Sequence, residues 1–354
     1  MLSNKCEYTS TCAKGNKYPV FVERFEQTRI GIIPIVSTEW TWRERLDSCK
    51  VHWGLNRMNY KVEPGIYGVG HPDSNSPVLV SANYKLSFDK LRQELNDIDT
   101  WILVIDTNGI NVWCAAGKGT FGTKELVKRI RLHCLPQLVD HNKIIIPQLA
   151  GPGVAAYQVT KQTKFRVVYG PVRAKDIPAF MANKMHATPD MRIITFSFKD
   201  RIVLTPMEFL PALKLYPIFI ILLFLLNWIS SQPITRFFLV ESLPYLGGIF
   251  LGSVVVPLLL PYIPFRSFAM KGAVVGMIFV LALHQYAKPD VYTQLAHFLI
   301  IPSLASFLAV NFTGATPFTS LSGVQKELTW SVPIYISAVI AGLTLKIIHV
   351  LTIG

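Results

Sequence analysis

Charge is scarce beyond residue 214. From there on the chain carries six bases (Arg236, Arg266, Lys271, Lys288, Lys326, Lys346) and three acids (Glu241, Asp290, Glu327). The other 29 of the 35 bases and 19 of the 22 acids come earlier and leave that part at +10. Uncharged runs extend from Leu215 to Thr235, Ser242 to Phe265, Gly272 to Ala287, Val291 to Gln325 and Leu328 to Leu345. A bilayer-spanning helix needs about 20 apolar residues. Five spans are therefore expected, near 213–231, 239–260, 270–287, 292–312 and 331–351, with four as the alternative because the third is short.

Cysteine is scarce as well. Cys6, Cys12, Cys49, Cys114 and Cys134 form no C-x-x-C pair and no zinc or iron–sulfur spacing, so any redox electrons have to come from another protein. The first 20 residues lack the apolar core of a signal peptide. With the N-terminal part inside, Arg266, Lys271 and Lys326 fall in cytoplasmic loops and Arg236 and Lys288 in outer ones, as a positive-inside bias asks. The expected location is the cytoplasmic (inner) membrane, multi-pass, with the N-terminal domain in the cytoplasm and its thiols reduced. The net charge of +13 does not come as interleaved bases and aromatics, which argues against nucleic acid and for lipid headgroups, an acidic partner or an anionic cofactor tail.

Length favours two units, expected as 1–205, a juxtamembrane linker 206–214, and 215–354. Within the first, apolar runs of strand length recur at Ile30–Val36, Val78–Tyr84, Trp101–Thr107, Lys143–Pro147, Phe165–Tyr169 and Met191–Phe196. Amphipathic stretches lie between them at Phe88–Asn96, Gly122–His133, Val154–Gln162 and Asp176–Lys184. That alternation predicts βαβ units on a parallel sheet, with a ligand crevice at the carboxyl ends of the strands. Ser87 is the expected N-cap of the helix after Val78–Tyr84. Small residues follow the strand ends at 147–153 and 169–174 and predict a flat floor for a wide planar ligand.

Two phosphate motifs are near misses. Gly117-Lys118-Gly119-Thr120-Phe121-Gly122 has the form G-x-G-x-x-G, but its strand ends about ten residues earlier, whereas a dinucleotide fingerprint opens directly from the strand; Asp140 has roughly the ribose-binding spacing. A Walker A reading fails because Gly119 follows Lys118. What remains is the insertion Gly109–Lys118, long enough for about two helical turns. It carries a lone thiol, Cys114, between Trp113 and the small pair Ala115-Ala116.

The run Asn111-Val112-Trp113-Cys114-Ala115-Ala116-Gly117-Lys118 resembles the cap-helix signature of the HgcA family, the membrane-anchored corrinoid proteins of microbial mercury methylation. Similarity continues through 64–67, 76–80, 82–85 and 117–122, and the multi-span tail is similar too. Ala150–Gly153 and Val168–Ala174 also resemble the corrinoid iron–sulfur protein of acetyl-CoA synthesis. The resemblance implies a Rossmann-like corrinoid-binding domain over 1–205 and a helical membrane domain behind it. It implies Cys114 as the lower axial cobalt ligand of a base-off, cobalamin-type corrinoid. Asn111, Val112, Trp113, Ala115, Ala116, Gly117 and Lys118 would line the corrin, with Ser81, Ser87, Gly151, Gly153, Gly170 and Ala174 around it. A thiolate is a soft, strongly donating ligand, and donation trans to a cobalt–carbon bond favours transfer of methyl as a carbanion equivalent to Hg(II). The implied partners are membrane lipid, a ferredoxin-like iron–sulfur protein of the HgcB type supplying electrons and Hg(II), and a methyl-donor methyltransferase. No iron–sulfur cluster is expected in this chain.

Blander readings stand beside these. A lone apolar cysteine is most often a small core residue, and Cys6, Cys12, Cys49 and Cys134 keep that reading, with mercury capture as the alternative for Cys6 and Cys12. Trp113 reads as packing, and Lys118 as a cofactor contact or a solvated cap charge. His284, His297 and His349 read as snorkelling or interface residues. No cluster of buried charge is expected among the spans, which favours anchoring over transport. The competing functions are a corrinoid methyl carrier of one-carbon metabolism without mercury chemistry, a dinucleotide oxidoreductase and a transporter.

Overall fold

The computed structural model describes residues 18–229, 233 and 237–353. Cys6, Cys12 and Arg236 lie outside the described residues. The chain divides into two compact units, the second comprising Thr195 onward together with His52–Gly54.

The first unit is built on a seven-stranded sheet ordered β1-β2-β3-β5-β4-β6-β7. Its strands are β1 (Val22–Thr28), β2 (Gly31–Val36), β3 (Gly65–Val69), β4 (Val78–Ala82), β5 (Thr100–Ile105), β6 (Lys143–Ile146) and β7 (Arg166–Tyr169). The sheet is mixed, not parallel throughout. β4, β5, β6 and β7 run parallel, but β1 pairs with β2 and β3 with β5 antiparallel. β1 carries a charged, half-exposed pattern, and β3 reads Gly-Ile-Tyr-Gly-Val, where two glycines mask the strand signal. Gly68 is required there because an added Cβ would sit 2.4 Å from Ile35 Cδ1.

The central strands are buried on both faces. Val78, Val80, Trp101, Leu103, Ile144 and Ile146 pack on one side, and Leu79, Ile102, Val104 and Ile145 on the other. Burying each such side chain contributes about 1.5–3 kcal/mol. Helices α2 (Lys85–Gln93) and α7 (Ile177–Ala182) cover the second side. Helices α3 (Val112–Lys118), α4 (Thr123–Leu132), α5 (Leu135–Leu138) and α6 (Ala156–Thr163) cover the first. A further helix, α1 (Trp42–His52), joins β2 to β3. The N-cap of α2 is Tyr84; Ser87, expected to cap, lies inside the helix. Met191–Phe196, expected as a strand, is a short turn at Asp190–Arg192 followed by irregular chain, and it returns one backbone bond, from Val172 N to Met191 O.

Among the described residues, the second unit has five helices long and apolar enough to cross a membrane, in segments Phe198–Leu225, Phe237–Leu259, Phe268–Ala287, Val291–Ala315 and Ser322–Thr352. Residues 206–214, expected as a linker, are part of the helix Phe198–Ile229. Its Pro206, Pro211 and Pro217 each remove an intrahelical donor.

Candidate functional site

The chain passes from β4 outward to β5, then crosses back over β4 to β6. Its strand order therefore reverses between β4 and β6, where a ligand crevice is expected in such sheets. A cleft of about 310 Å³ lies there. Leu79, Val80 and Ser81 of β4 and Ile145 and Ile146 of β6 reach it, with Gly170 and Ala174 after β7 and Ser87 on α2. Asn111, Val112 and Trp113 form its wall at the start of α3. Trp113, read from the sequence as packing, is 40% exposed.

α3 is short and held from several sides. Asn111 caps it, its Oδ1 accepting from the Cys114 amide at 2.9 Å. Gly119 ends it with φ 79, the left-handed conformation glycine adopts at least cost. Its inner face is Ala115 and Ala116, buried in the core against Phe121, Ala150 and Val154. Gly153 packs directly behind it: an added Cβ would meet Phe121 O at 2.1 Å and Ala116 Cα at 3.2 Å. Its outer face carries Trp113, Cys114, Gly117 and Lys118. Cys114 is a free, partly exposed thiol that follows the cleft-lining residues along the helix.

The expected constellation is thus divided. Asn111, Val112, Trp113, Ser81, Ser87, Gly170 and Ala174 converge on the cleft. Ala115, Ala116 and Gly153 support α3 from behind, and Gly117 and Lys118 face outward. Gly151 lines an adjoining pocket of about 380 Å³ with Gln148, Tyr169 and Arg192.

A residue given no role from the sequence holds the turn between β5 and α3. Asn83, buried after β4, accepts through Oδ1 from the amides of Thr107 (3.0 Å) and Gly109 (3.0 Å), with the Thr107 hydroxyl at 2.9 Å. Its Nδ2 donates to Asp106 Oδ1 at 3.1 Å. One side chain therefore ties the end of β4 to the turn that launches the thiol helix. An Asn at a strand end facing a second strand that ends in Asp-Thr-Asn-Gly was the available signal.

Asp140 has no part in this site. It lies ahead of β6, at the amino edge of the sheet, bound to Arg29 at 2.6 Å and Ser74 Oγ at 2.5 Å. The hydrogen bonds from Arg29 and Ser74 hold its carboxyl below the usual range. Among the described residues, no group of three or more His, Cys, Asp or Glu side chains converges as a metal site would.

The second unit corrects the expectation of no buried charge cluster. Lys346, almost fully buried, donates to Glu241 Oε1 at 2.6 Å and Oε2 at 2.5 Å and to Thr293 Oγ1 at 2.9 Å. His349 Nδ1 lies 3.2 Å from Asp290 Oδ1, and His284 Nε2 lies 3.2 Å from His297 Nδ1. His297 is wholly buried, not snorkelling, because its helix turns it toward Tyr245 and His284. Each group is isolated among apolar residues in sequence and meets its partner only across helices.

Residues 53–181 match the family of the CO dehydrogenase/acetyl-CoA synthase delta subunit, CdhD. The acetyl-CoA decarbonylase/synthase complex subunit gamma of Methanopyrus kandleri is 34% identical over 127 residues, 35% of this chain and 27% of that protein. The corresponding subunit of Methanocaldococcus jannaschii is 31% identical over 129 residues, 36% and 26% of the two chains. Subunit gamma 2 of Methanosarcina thermophila is 34% identical over 130 residues, 35% and 27%. The chain spans about a quarter of the length of these curated relatives. The matched segment runs from just after α1 to α7, so this chain is similar to the CdhD family in the part of its sheet that builds the cleft and α3.

Proposed function

We propose that the first unit binds a corrinoid at the cleft beside α3 and serves as a methyl carrier, with Cys114 as the residue that would ligate its cobalt. The observation that carries this is a free thiol on a short, multiply braced helix that walls the switch-point cleft, inside the segment similar to CdhD. The residues fit such a group. The cleft is mostly hydrocarbon, with Ser81, Ser87 and Asn111 as its polar side chains, a mixture suited to an apolar macrocycle with an amide-bearing rim. When bound, the corrinoid supplies a cobalt centre able to accept and release a methyl group.

The chain's own residues supply binding and orientation. Gly170 and Ala174 keep the cleft floor low, since even a methyl added at Gly170 would crowd Ile145 Cγ2 at 3.1 Å. Asn111 fixes the Cys114 backbone, and Asn83 fixes the turn before it. Bracing the backbone on both sides of Cys114 fixes where its Cα–Cβ bond starts, and so limits where a soft sulfur ligand can reach.

The relatives are subunits of an acetyl-CoA decarbonylase/synthase complex, and that favours one-carbon metabolism as the setting of the methyl transfer. Hg(II) as methyl acceptor is the second reading, and the run Asn111–Lys118 with its cysteine is the observation behind it. Transfer to Hg(II) as a carbanion equivalent would need two electrons per turnover, for which a separate ferredoxin-like iron–sulfur protein is proposed, whereas cation-equivalent transfer in one-carbon metabolism would need such a donor only for reactivation; both readings ask for a methyl-donor methyltransferase. The five apolar helices would anchor the unit in a membrane.

The test is the visible spectrum of the purified full chain mixed with a base-off corrinoid. Retained corrin bands that shift in Cys114→Ala support the assignment; no retained corrinoid, or bands indifferent to Cys114→Ala, would refute it. Methylated protein given thiol-bound Hg(II) then separates the readings, since only the second yields methylmercury.

A further inference from the structure

Helix α1 is built inside out. Its inward residues are Glu44, Ser48 and Val51. Glu44 meets Arg92 Nη2 at 2.6 Å and Lys85 Nζ at 3.1 Å, and Arg92 is itself fully buried against Asp89 at 2.9 Å. An ion cluster, not apolar packing, holds the helix to α2. Its outward stripe is apolar: Trp42 is 66% exposed and Leu46 50%, with the free, exposed thiol of Cys49 beside them. Positions 42, 46 and 49 share one helical face.

We propose that this stripe lies in the interface of an anionic bilayer, docking the first unit onto the membrane that the second unit spans. The proposal rests on the reading that the second unit is membrane-inserted. The chemistry selects lipid over a protein groove. Trp42 heads the stripe, as tryptophan does at membrane–water interfaces, and exposed Arg43, Arg45 and Lys50 flank it where headgroup phosphates would lie. Of the exposed acids on the helix, Asp47 is engaged by Lys50 at 3.1 Å. The five apolar helices keep a bilayer within reach of the same chain at high effective concentration. α1 precedes residues 53–181, so the device stands apart from the segment shared with the acetyl-CoA complex relatives.

The experiment places a benzophenone amino acid at position 46 of the full chain in nanodiscs and identifies its adducts by mass spectrometry. Position 46 is exposed, so folding is spared, and position 157 is the control, 71% exposed on α6 across the sheet. Expected are lipid adducts at 46 and few at 157. Their yield should fall by roughly an order of magnitude in all-zwitterionic discs or in the Arg43→Gln/Arg45→Gln variant. Adducts to protein, equal lipid adducts at both positions, or yields indifferent to lipid charge would overturn the proposal. Resistance of the same chain to alkaline extraction reads out insertion of the second unit separately.

Discussion

Asn83→Ala should loosen α3 far more than its distance from the cleft lining suggests. Two buried amides, Thr107 N and Gly109 N, lose their acceptor at once, and Asp106 loses a donor. The Thr107 hydroxyl has a second acceptor, Ile110 O at 2.7 Å, and escapes the loss. At about 1–3 kcal/mol for each stranded amide, partly offset by water entering the new space, the expected destabilisation is about 3 kcal/mol. Urea unfolding of the full chain in detergent, followed by tryptophan fluorescence, would measure it. Amide exchange over 107–118 would show where it acts. Asn83→Asp is the sharper comparison, because it keeps the acceptor for both amides but sets a carboxylate against Asp106 Oδ1 at the 3.1 Å contact. Its deficit should shrink below about pH 5, as protonation of one carboxyl restores an O–H···O bond. The Asn83→Ala deficit should not change in that way. A loss under about 1 kcal/mol for Asn83→Ala, or parallel pH profiles for the two variants, would refute the account.

Four other outcomes follow from the geometry. Gly153→Ala places a methyl against Phe121 O and should cost about 1–3 kcal/mol. Gly117→Ala meets nothing within 4 Å and should gain about 0.5–1 kcal/mol in melting experiments, while weakening corrinoid retention where the macrocycle packs on that face. Burial, with Arg129 nearby, pushes His133 down to about 4. The unfolded chain takes up that proton below the ordinary value of 6.5 and the folded chain does so near 4, so stability should fall as pH drops through that window. His133→Gln should remove that slope from the urea midpoints. In the second unit, Lys346→Met or Glu241→Met alone strands a buried partner and should cost about 3–5 kcal/mol. Lys346→Met/Glu241→Met should recover most of it, a non-additivity that a thermal-shift cycle in detergent can read.

Much of the first unit was legible because burial on both faces writes continuous apolar runs. β4, β5, β6 and β7 sit where Val78–Tyr84, Trp101–Thr107, Lys143–Pro147 and Phe165–Tyr169 predicted strands. The long apolar helices of the second unit were legible because their sequences are apolar all round. The failures come from elements whose burial is not apolar or whose pairing is not local. β3 hides behind two glycines, one of which, Gly68, is crowded by Ile35 and Trp101. α1 buries charge and exposes tryptophan, the reverse of the pattern that marks a helix in sequence. The cleft could be located, because a crevice at strand ends follows from the βα alternation. Its support could not. Asn83 acts through backbone amides more than twenty residues away, and Lys346 meets Glu241 across 105 residues, separations that carry no local signal.

The two methyl-transfer readings ask the same things of most of this site. A cleft at the β4–β6 switch point, a floor of small residues and a braced α3 would serve a corrinoid methyl carrier whatever the acceptor. None of those features can therefore decide between an acceptor in one-carbon metabolism and Hg(II). Cys114 can, because ligand donor strength is what separates transfer of a methyl cation equivalent from transfer of a carbanion equivalent. Neighbouring residues allow that variable to be isolated. Asn111 accepts the Cys114 amide through its own side chain, and Ala115 and Ala116 hold the helix from inside, so neither contact uses the thiol. Cys114→Ser, Cys114→His and Cys114→Ala should then leave α3 in place and stability within about 0.5–1 kcal/mol, while changing only the group offered to cobalt. If corrinoid retention survives in all three and methyl transfer to Hg(II) disappears in all but the cysteine protein, the thiol is the acceptor-selecting element. If Cys114→Ala transfers methyl to Hg(II) as fast as the parent, the thiol is not the acceptor-selecting element; if the parent itself yields no methylmercury, the mercury reading falls and the one-carbon reading stands without it.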